Sequence, residues 1–128
     1  MKYLLDTHAF LWAAGEPDKL SPKVKTLLLD RDNQLLLSLA SVWEIQIKIQ
    51  AGKLTLPSPL PSIIQTQQQI NQLELLPIEL SHILALGNLP DHHRDPFDRI
   101  MIAQAQVEDI ILISRDPMVT QYSIQVIW

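Results

Sequence analysis

Apolar residues occur as short continuous runs that alternate with longer amphipathic segments. The runs KYLL (2–5), QLLLSL (34–39) and IILIS (110–114) are continuous, which is typical of strands buried on both faces. ELLPIEL (74–80) and SIQVIW (123–128) are weaker runs of the same kind. The pattern therefore predicts four or five short strands.

The segments between these runs have the spacing and end signals of helices. Helices are predicted within THAFLWAAG (7–15), SPKVKTLLLDRD (21–32), SVWEIQIKIQAGKL (41–54), the glutamine-rich part of 55–73, SHILALGNL (81–89) and the stretch after Asp95. Serine caps with proline at the first helical position, and glycine after the last turn, mark their limits. Strands that alternate with helices predict an α/β fold, a parallel sheet with helices on both faces.

Four acids follow or flank the predicted strands. Asp6 ends the first strand, Glu44 comes soon after the second, Asp98 opens the helix before the fourth, and Asp116 lies just past that strand. In parallel sheets, ligands bind outside the carboxyl ends of the strands, where the strand order switches. We therefore expect these four distant acids to meet in one crevice.

Each acid also has a purely structural interpretation. Ser41 and Glu44 fit a capping box, and Asp95 before a proline fits an N-cap that leaves Asp98 at the third helical position. Asp116 before a proline fits a plain turn. Taken together, four acids on one sheet edge favour a site over four independent caps.

Composition limits the chemistry. The 128 residues suffice for one core, so one domain spanning 1–128 is expected. The absence of cysteine excludes disulfides and thiolate chemistry, and three glycines without a phosphate-binding motif argue against a nucleotide loop. A net charge of −4 argues against binding nucleic acid by bulk charge, but not against a metal-assisted enzyme. Neither a signal peptide nor a membrane span is expected, which favours a cytoplasmic protein.

Other conspicuous residues favour ordinary roles. His92 and His93 beside Asp91 and Asp95 have the composition of a transition-metal site, but their spacing favours a solvated loop. His8 is best explained by packing in the first helix, and the tryptophans at positions 12 and 43 by core or interface positions rather than base stacking.

Four sequence blocks together carry a resemblance to a known family. LLDTHAFLW, SLASVWEIQIKIQAGKL, HHRDPFDRIMIAQA and LISRD resemble, in this order and over nearly the whole chain, PIN-domain ribonucleases, and more closely the VapC-like toxins of bacterial toxin–antitoxin pairs. The resemblance implies that Asp6, Glu44 and Asp98 are the main metal-holding acids and that Asp116 is a fourth, more variable one. It also implies that the hydroxyl of Thr7 assists near the first acid.

The resemblance implies a metal-dependent endoribonuclease that cuts RNA phosphodiester bonds with Mg²⁺ or Mn²⁺. When bound, one ion could supply hydroxide from water, and a second could stabilise the leaving oxygen. Lys48 is a candidate phosphate contact or part of a solvated charged face, and Arg99 and Arg115 are candidates to meet phosphate or a neighbouring carboxylate. The implied partners are an RNA substrate, a cognate antitoxin and a second copy in a homodimer, without a membrane. The alternative is a PIN-like fold that has lost activity and serves as a binding or scaffold module.

Two other enzyme classes with acidic pockets fit poorly. A receiver domain needs paired acids after the first strand and a lysine after the last, and the chain ends at Trp128 directly after its last strand. A haloacid-dehalogenase-like phosphatase needs a second aspartate where His8 stands.

Overall fold

The computed structural model describes residues 1–92 and 94–128, which form one layered α/β domain. Within them the strands are β1 (Lys2–Leu5), β2 (Gln34–Ser38), β3 (Glu74–Leu76), β4 (Ile111–Ile113) and β5 (Val126–Ile127). The helices are α1 (Thr7–Gly15), α2 (Pro22–Leu29), α3 (Leu39–Gln50), α4 (Leu60–Asn71), α5 (Leu80–Ala85) and α6 (Pro96–Glu108). Short 3₁₀ turns occupy Pro17–Lys19, Leu86–Asn88 and Pro117–Gln121.

The five strands form one sheet in the order β3-β2-β1-β4-β5, and every neighbouring pair is parallel. Leu5, the last residue of β1, pairs with Leu37 on one side and Ile113 on the other. The chain moves outward from β1 in one direction through β2 and β3, and in the other through β4 and β5. The strand order therefore switches between β1 and β4, which is where parallel sheets hold their ligands.

Alternate side chains of the central strands enter two separate cores. Tyr3, Leu5 and Ile113 belong to a core on one face, whereas Leu4 and Leu112 belong to a core on the other. Because side chains in a strand alternate between faces, a continuous apolar run is needed to fill both cores. This explains the KYLL and IILIS runs, and the predicted α/β fold is confirmed.

The helix ends follow the predicted signals, with one correction. Ser21 caps α2 ahead of Pro22, and Gly52, at a φ of +72°, follows the end of α3. The capping box over Ser41 and Glu44 is wrong, because α3 begins at Leu39 and the Ser38 hydroxyl accepts the Ala40 N–H. Strand β2 passes directly into α3, so Ser41 is already inside the helix.

In the part of the chain that the structure describes, no helix is long and apolar enough to cross a membrane.

Candidate active site

A polar cavity of about 140 Å³ opens at the carboxyl edge of the sheet, beside the switch between β1 and β4. Its walls include every one of the four predicted acids, together with Thr7 and Lys48. The cavity lining is formed by Asp6, Thr7, His8, Glu44, Lys48, Asp95, Asp98, Met101, Leu112, Ser114, Asp116 and Val119. The fold thus brings together acids that are up to 110 positions apart, from Asp6 to Asp116.

Asp6 lies at the junction of β1 and α1. Its backbone N–H donates to the Ile113 carbonyl at 3.0 Å, which fixes the residue against β4. Its carboxylate caps α1 by accepting the Ala9 N–H at 2.7 Å. Burial raises the pKa of the Asp6 carboxyl above its ordinary value of 3.8, and the nearby Asp116 acts in the same direction. Hydrogen bonds from Ser114 and Ala9 and the charge of His8 oppose this rise.

Ser114 links two of the acids and was not singled out from the sequence. It is buried at the end of β4, where its hydroxyl donates to Asp6 and accepts the Asp116 N–H at 3.1 Å. Asp116 in turn accepts the Met118 N–H at 2.9 Å and so caps the following 3₁₀ turn. The signal that could have identified Ser114 is its position, because it is a polar residue that directly follows a strand paired with β1.

Glu44 is held by a buried hydroxyl network that joins α1 to α3. Thr7 donates its hydroxyl to Glu44 Oε1 at 2.7 Å. The Ser41 hydroxyl oxygen lies 3.1 Å from Thr7 Oγ1 and 3.1 Å from the sulfur of Met101 in α6. Glu44 is only 7% exposed, so this network fixes one of its two oxygens.

Lys48 faces the second oxygen of Glu44. Its Nζ lies 3.2 Å from Glu44 Oε2, one helical turn along α3. The lysine side chain is 40% exposed, whereas that of Glu44 is 9% exposed. The positive charge of Lys48 therefore lies at the edge of the acidic cavity, between Glu44 and solvent.

Asp95 and Asp98 have different roles at the start of α6. Asp95 Oδ1 accepts the N–H groups of Phe97 at 2.8 Å and of Asp98 at 3.2 Å, as an N-cap does. Asp98 lies in the first turn of the helix and lines the cavity. The predicted N-cap is confirmed, and it presents Asp98 from a rigid helix start.

The two predicted arginines lie outside the cavity lining. Arg99 turns back toward the preceding loop, where it donates to the carbonyls of Pro90 at 2.8 Å and Leu89 at 3.3 Å. Its Nη1 also lies 3.6 Å from a carboxylate oxygen of Asp91. Arg115 lies over the ring of Trp12, 6.0 Å from its centre.

The oxygen-rich lining fits a hard divalent cation in chemistry, because carboxylates are the ligands that such ions prefer. The desolvated Asp6 carboxyl beside Asp116 also gains from a counter-charge. Among residues 1–92 and 94–128, no three histidine or acidic side chains stand close enough to form a closed metal site. The acids thus line one cavity without forming a closed set of ligands, and Glu44 is paired with Lys48.

His92 lies outside the cavity lining. The ring of His92 packs at 4.9 Å against that of Tyr122, edge to face. His93 lies outside the described residues, so the predicted solvated loop stays a prediction there.

Comparison with known proteins identifies the family. The sequence profile of the PIN domain matches residues 3–124, and the chain belongs to the PIN domain family. No curated protein is similar enough in sequence to count as a match. The resemblance found in the four sequence blocks is thus confirmed at the level of the family.

Solved structures with the same fold come from toxin–antitoxin complexes. A chain of VapBC2 from Rickettsia felis, bound to a promoter DNA fragment, matches with a TM-score of 0.76 and 16% identity, over 99% of this chain and 98% of that chain. DNA-bound VapBC from Salmonella typhimurium gives 0.68 and 14%, over 99% and 97%. VapBC-1 from nontypeable Haemophilus influenzae gives 0.64 and 19%, also over 99% and 97%. At these identities the likeness shows a shared fold.

Proposed function

We propose that the chain is a divalent-metal-dependent endoribonuclease that acts as the toxin of a toxin–antitoxin pair. The observation that carries this proposal is the cavity at the switch point of a PIN fold, which is lined by Asp6, Glu44, Asp98 and Asp116. PIN domains generally use divalent metal ions. A serine or cysteine hydrolase is a poorer explanation, because the chain has no cysteine and the cavity serine, Ser114, is committed to two acids.

The four acids would hold the metal, which we take to be Mg²⁺ or Mn²⁺. When bound, the ion supplies a hydroxide from water and neutralises charge on the phosphate under attack. Asp6 would hold the ion as a carboxylate, since a ligand must be deprotonated, and its raised pKa means that a nearby cation would favour that form. Thr7 keeps Glu44 Oε1 in place, and Asp98 is aimed by the capped start of α6.

Lys48 has a second role in this proposal. Its ammonium group faces Glu44 from the open side of the cavity. If Glu44 held a divalent ion, the Lys48 amine would be free to contact a phosphate of the RNA. The side chain therefore exchanges an acid for a phosphate, and its charge is used in both states.

The partner of the proposed toxin is an antitoxin protein. The three similar structures described above are VapBC complexes, two of them bound to DNA. An antitoxin that inserts a basic side chain among the acids would occupy the position of the cation, as Lys48 partly does. Tight inhibition by a partner that places no basic residue near the cavity would count against this mode.

We also propose a homodimer, formed through the apolar surface around Trp43. Trp43 is 60% exposed and its ring lies 5.2 Å from that of Phe97, edge to face. Ile83 and Leu84 of α5 are 51% and 65% exposed, and Ile83 shares an apolar hollow with the two rings. Such contiguous exposed apolar surface is typical of interfaces.

The experiment that tests the activity is cleavage of a mixed cellular RNA preparation with Mg²⁺, with Mn²⁺ and with chelator. Wild type is compared with Asp6→Asn, which retains an oxygen that can accept the Ala9 N–H. Metal-dependent cutting that the variant loses supports the nuclease. A folded, partner-free wild type that cuts no RNA with any metal would instead favour the inactive binding module.

A further inference from the structure

An aromatic and cationic surface adjoins the acidic cavity, and its central residue, Trp12, has no role in the proposed nuclease site. We call it the Trp12 surface; it consists of His8, Trp12, Lys19, Arg115 and Trp128. The ring of Trp12 lies 5.6 Å from that of His8 and 5.7 Å from that of Trp128. Lys19 Nζ and the Arg115 guanidinium lie 5.9 Å and 6.0 Å from its centre.

The Trp12 surface is continuous with the cavity at two points. His8 belongs to both, since it lines the cavity and contacts Trp12. Arg115 directly precedes the cavity residue Asp116 in the chain. A strand of RNA whose phosphate entered the cavity would thus place a neighbouring nucleotide against this surface.

Part of the Trp12 ring is accessible for contact with such a nucleotide. Trp12 and Trp128 are partly buried against the core, while His8, Lys19 and Arg115 are exposed. A guanidinium at 6.0 Å lies at the outer limit of a cation–π contact, so it covers the ring only loosely. The tryptophan is therefore anchored on one side and available on another.

The charge of this surface complements RNA, in contrast to the cavity beside it. Lys19 is paired with Glu16 at 2.6 Å. Arg115 makes no ion pair with the side chains that the structure describes. In a chain of net charge −4, a cation next to a partly exposed aromatic ring is the combination that binds single-stranded nucleic acid through phosphate and base.

We propose that the Trp12 surface is a nucleotide subsite, in which a base next to the scissile phosphate stacks on Trp12 while Arg115 contacts its phosphate. The subsite rests on the proposed ribonuclease function and adds to it a requirement for an unstacked base, which only single-stranded RNA or a loop provides. Trp12 is thus more than the core or interface residue that the sequence favours.

The test is binding of short random-sequence single-stranded oligoribonucleotides, followed by fluorescence anisotropy with Ca²⁺ as the divalent ion. The variants are Trp12→Leu, which keeps an apolar side chain against the core, and the exposed Arg115→Gln. Arg31→Gln, an exposed arginine in the turn before β2, is the matched control. Base-free ribose-phosphate oligomers of the same length separate stacking from phosphate contact.

Trp12→Leu is expected to weaken RNA binding roughly 5- to 100-fold, as loss of a stacking aromatic does. It should leave the weaker binding of the base-free oligomers unchanged. Arg115→Gln should weaken binding of both kinds of oligomer, and Arg31→Gln of neither. Thermal unfolding of each variant checks the fold, and the exposed Arg115 keeps the test valid if Trp12→Leu is unstable.

Binding of RNA by Trp12→Leu and Arg115→Gln within twofold of wild type would overturn the subsite, as would a wild type that binds no RNA. Loss of affinity only for a protein partner would overturn it too and would assign the surface to that partner. Cleavage is measured separately. RNA binding that depends on Trp12, without cleavage, would support the subsite and contradict the nuclease. Cleavage that both variants retain, with unchanged affinity, would support the nuclease and contradict the subsite.

Discussion

Thr7 donates a 2.7 Å hydrogen bond to Glu44 across 37 residues of sequence, and both side chains are buried. The contact joins the first turn of α1 to the middle of α3 at the edge of the acidic cavity. Asp6 precedes Thr7 directly, so the geometry of two predicted metal ligands is coupled through one threonine. Several consequences of this arrangement can be measured.

Replacing Thr7 with valine should loosen Glu44 and lower stability. The isosteric methyl cannot donate a hydrogen bond, and one made to a buried charged group contributes about 1.5–3 kcal/mol. We expect the free energy of unfolding of Thr7→Val to fall by about that amount in chemical denaturation, with weaker Mn²⁺ binding. Thr7→Ser, which keeps the hydroxyl, should retain stability and Mn²⁺ affinity. An equal loss of Mn²⁺ affinity in the two variants would contradict the positioning role of Thr7.

Asp6 makes the metal-free protein less stable as pH rises. Its pKa is raised in the folded state, so the folded chain holds the proton more tightly than the unfolded chain. Stability is then lost as pH rises from the unfolded value of 3.8 through the raised folded pKa. The stability of Asp6→Asn should lack this component of the pH dependence, and added metal should increase it less than it increases the stability of wild type.

The measurement is the unfolding free energy against pH in chelator, for wild type, Asp6→Asn and the control Asp32→Asn, in which an exposed acid is changed. The Asp6→Asn variant should become more stable relative to wild type as pH increases. A constant difference across the range would show that burial of Asp6 carries no penalty.

Removing the amine of Lys48 should affect metal and RNA in opposite directions. Lys48→Met leaves Glu44 without its cation, so Mn²⁺ affinity should rise about two- to fivefold, as expected for a partly exposed pair worth up to about 1 kcal/mol. RNA affinity in the presence of metal should fall. Lys53→Met, just beyond the end of α3, is the control for loss of charge alone. A parallel decrease in both affinities would refute the exchange of partners.

The apolar surface around Trp43 should hold two copies together. Sedimentation is expected to show a dimer for wild type and a monomer for Trp43→Glu, since a charge in an apolar interface is not compensated. Leu29→Glu changes an 80% exposed leucine on α2 and should remain dimeric. Dimers of all three proteins would place the interface elsewhere.

Much of the fold could be predicted because its signals are local. The KYLL and IILIS runs define strands that fill two cores, and the proline and serine positions define the start of α2. Asp6 and Asp116 could be assigned to one edge because they follow parallel strands, and Glu44 and Asp98 because their helices begin at that same edge. This assignment follows from the strand order and requires no knowledge of contacts between distant side chains.

What could not be predicted depends on contacts between distant side chains. Ser41 looked like a cap, but its hydroxyl lies beside Thr7 and Met101, which only the packing of α1, α3 and α6 brings together. The direction of Arg99, toward the carbonyls of the preceding loop, depends on a rotamer that sequence does not encode locally. The neighbours of Trp12 come from four separate segments, so its surface could not be seen in the sequence.

The central claim is tested most directly by a pair of neighbouring aspartates in one RNA cleavage assay with Mn²⁺. Asp95→Asn retains the carbonyl oxygen that can cap α6, whereas Asp98→Asn removes a proposed ligand three positions further on. We predict that Asp95→Asn cuts RNA at nearly the wild-type rate and that Asp98→Asn does not cut, although both unfold like wild type in chelator. Equal cleavage by the two variants, or none by wild type, would contradict a metal-dependent ribonuclease built on these acids.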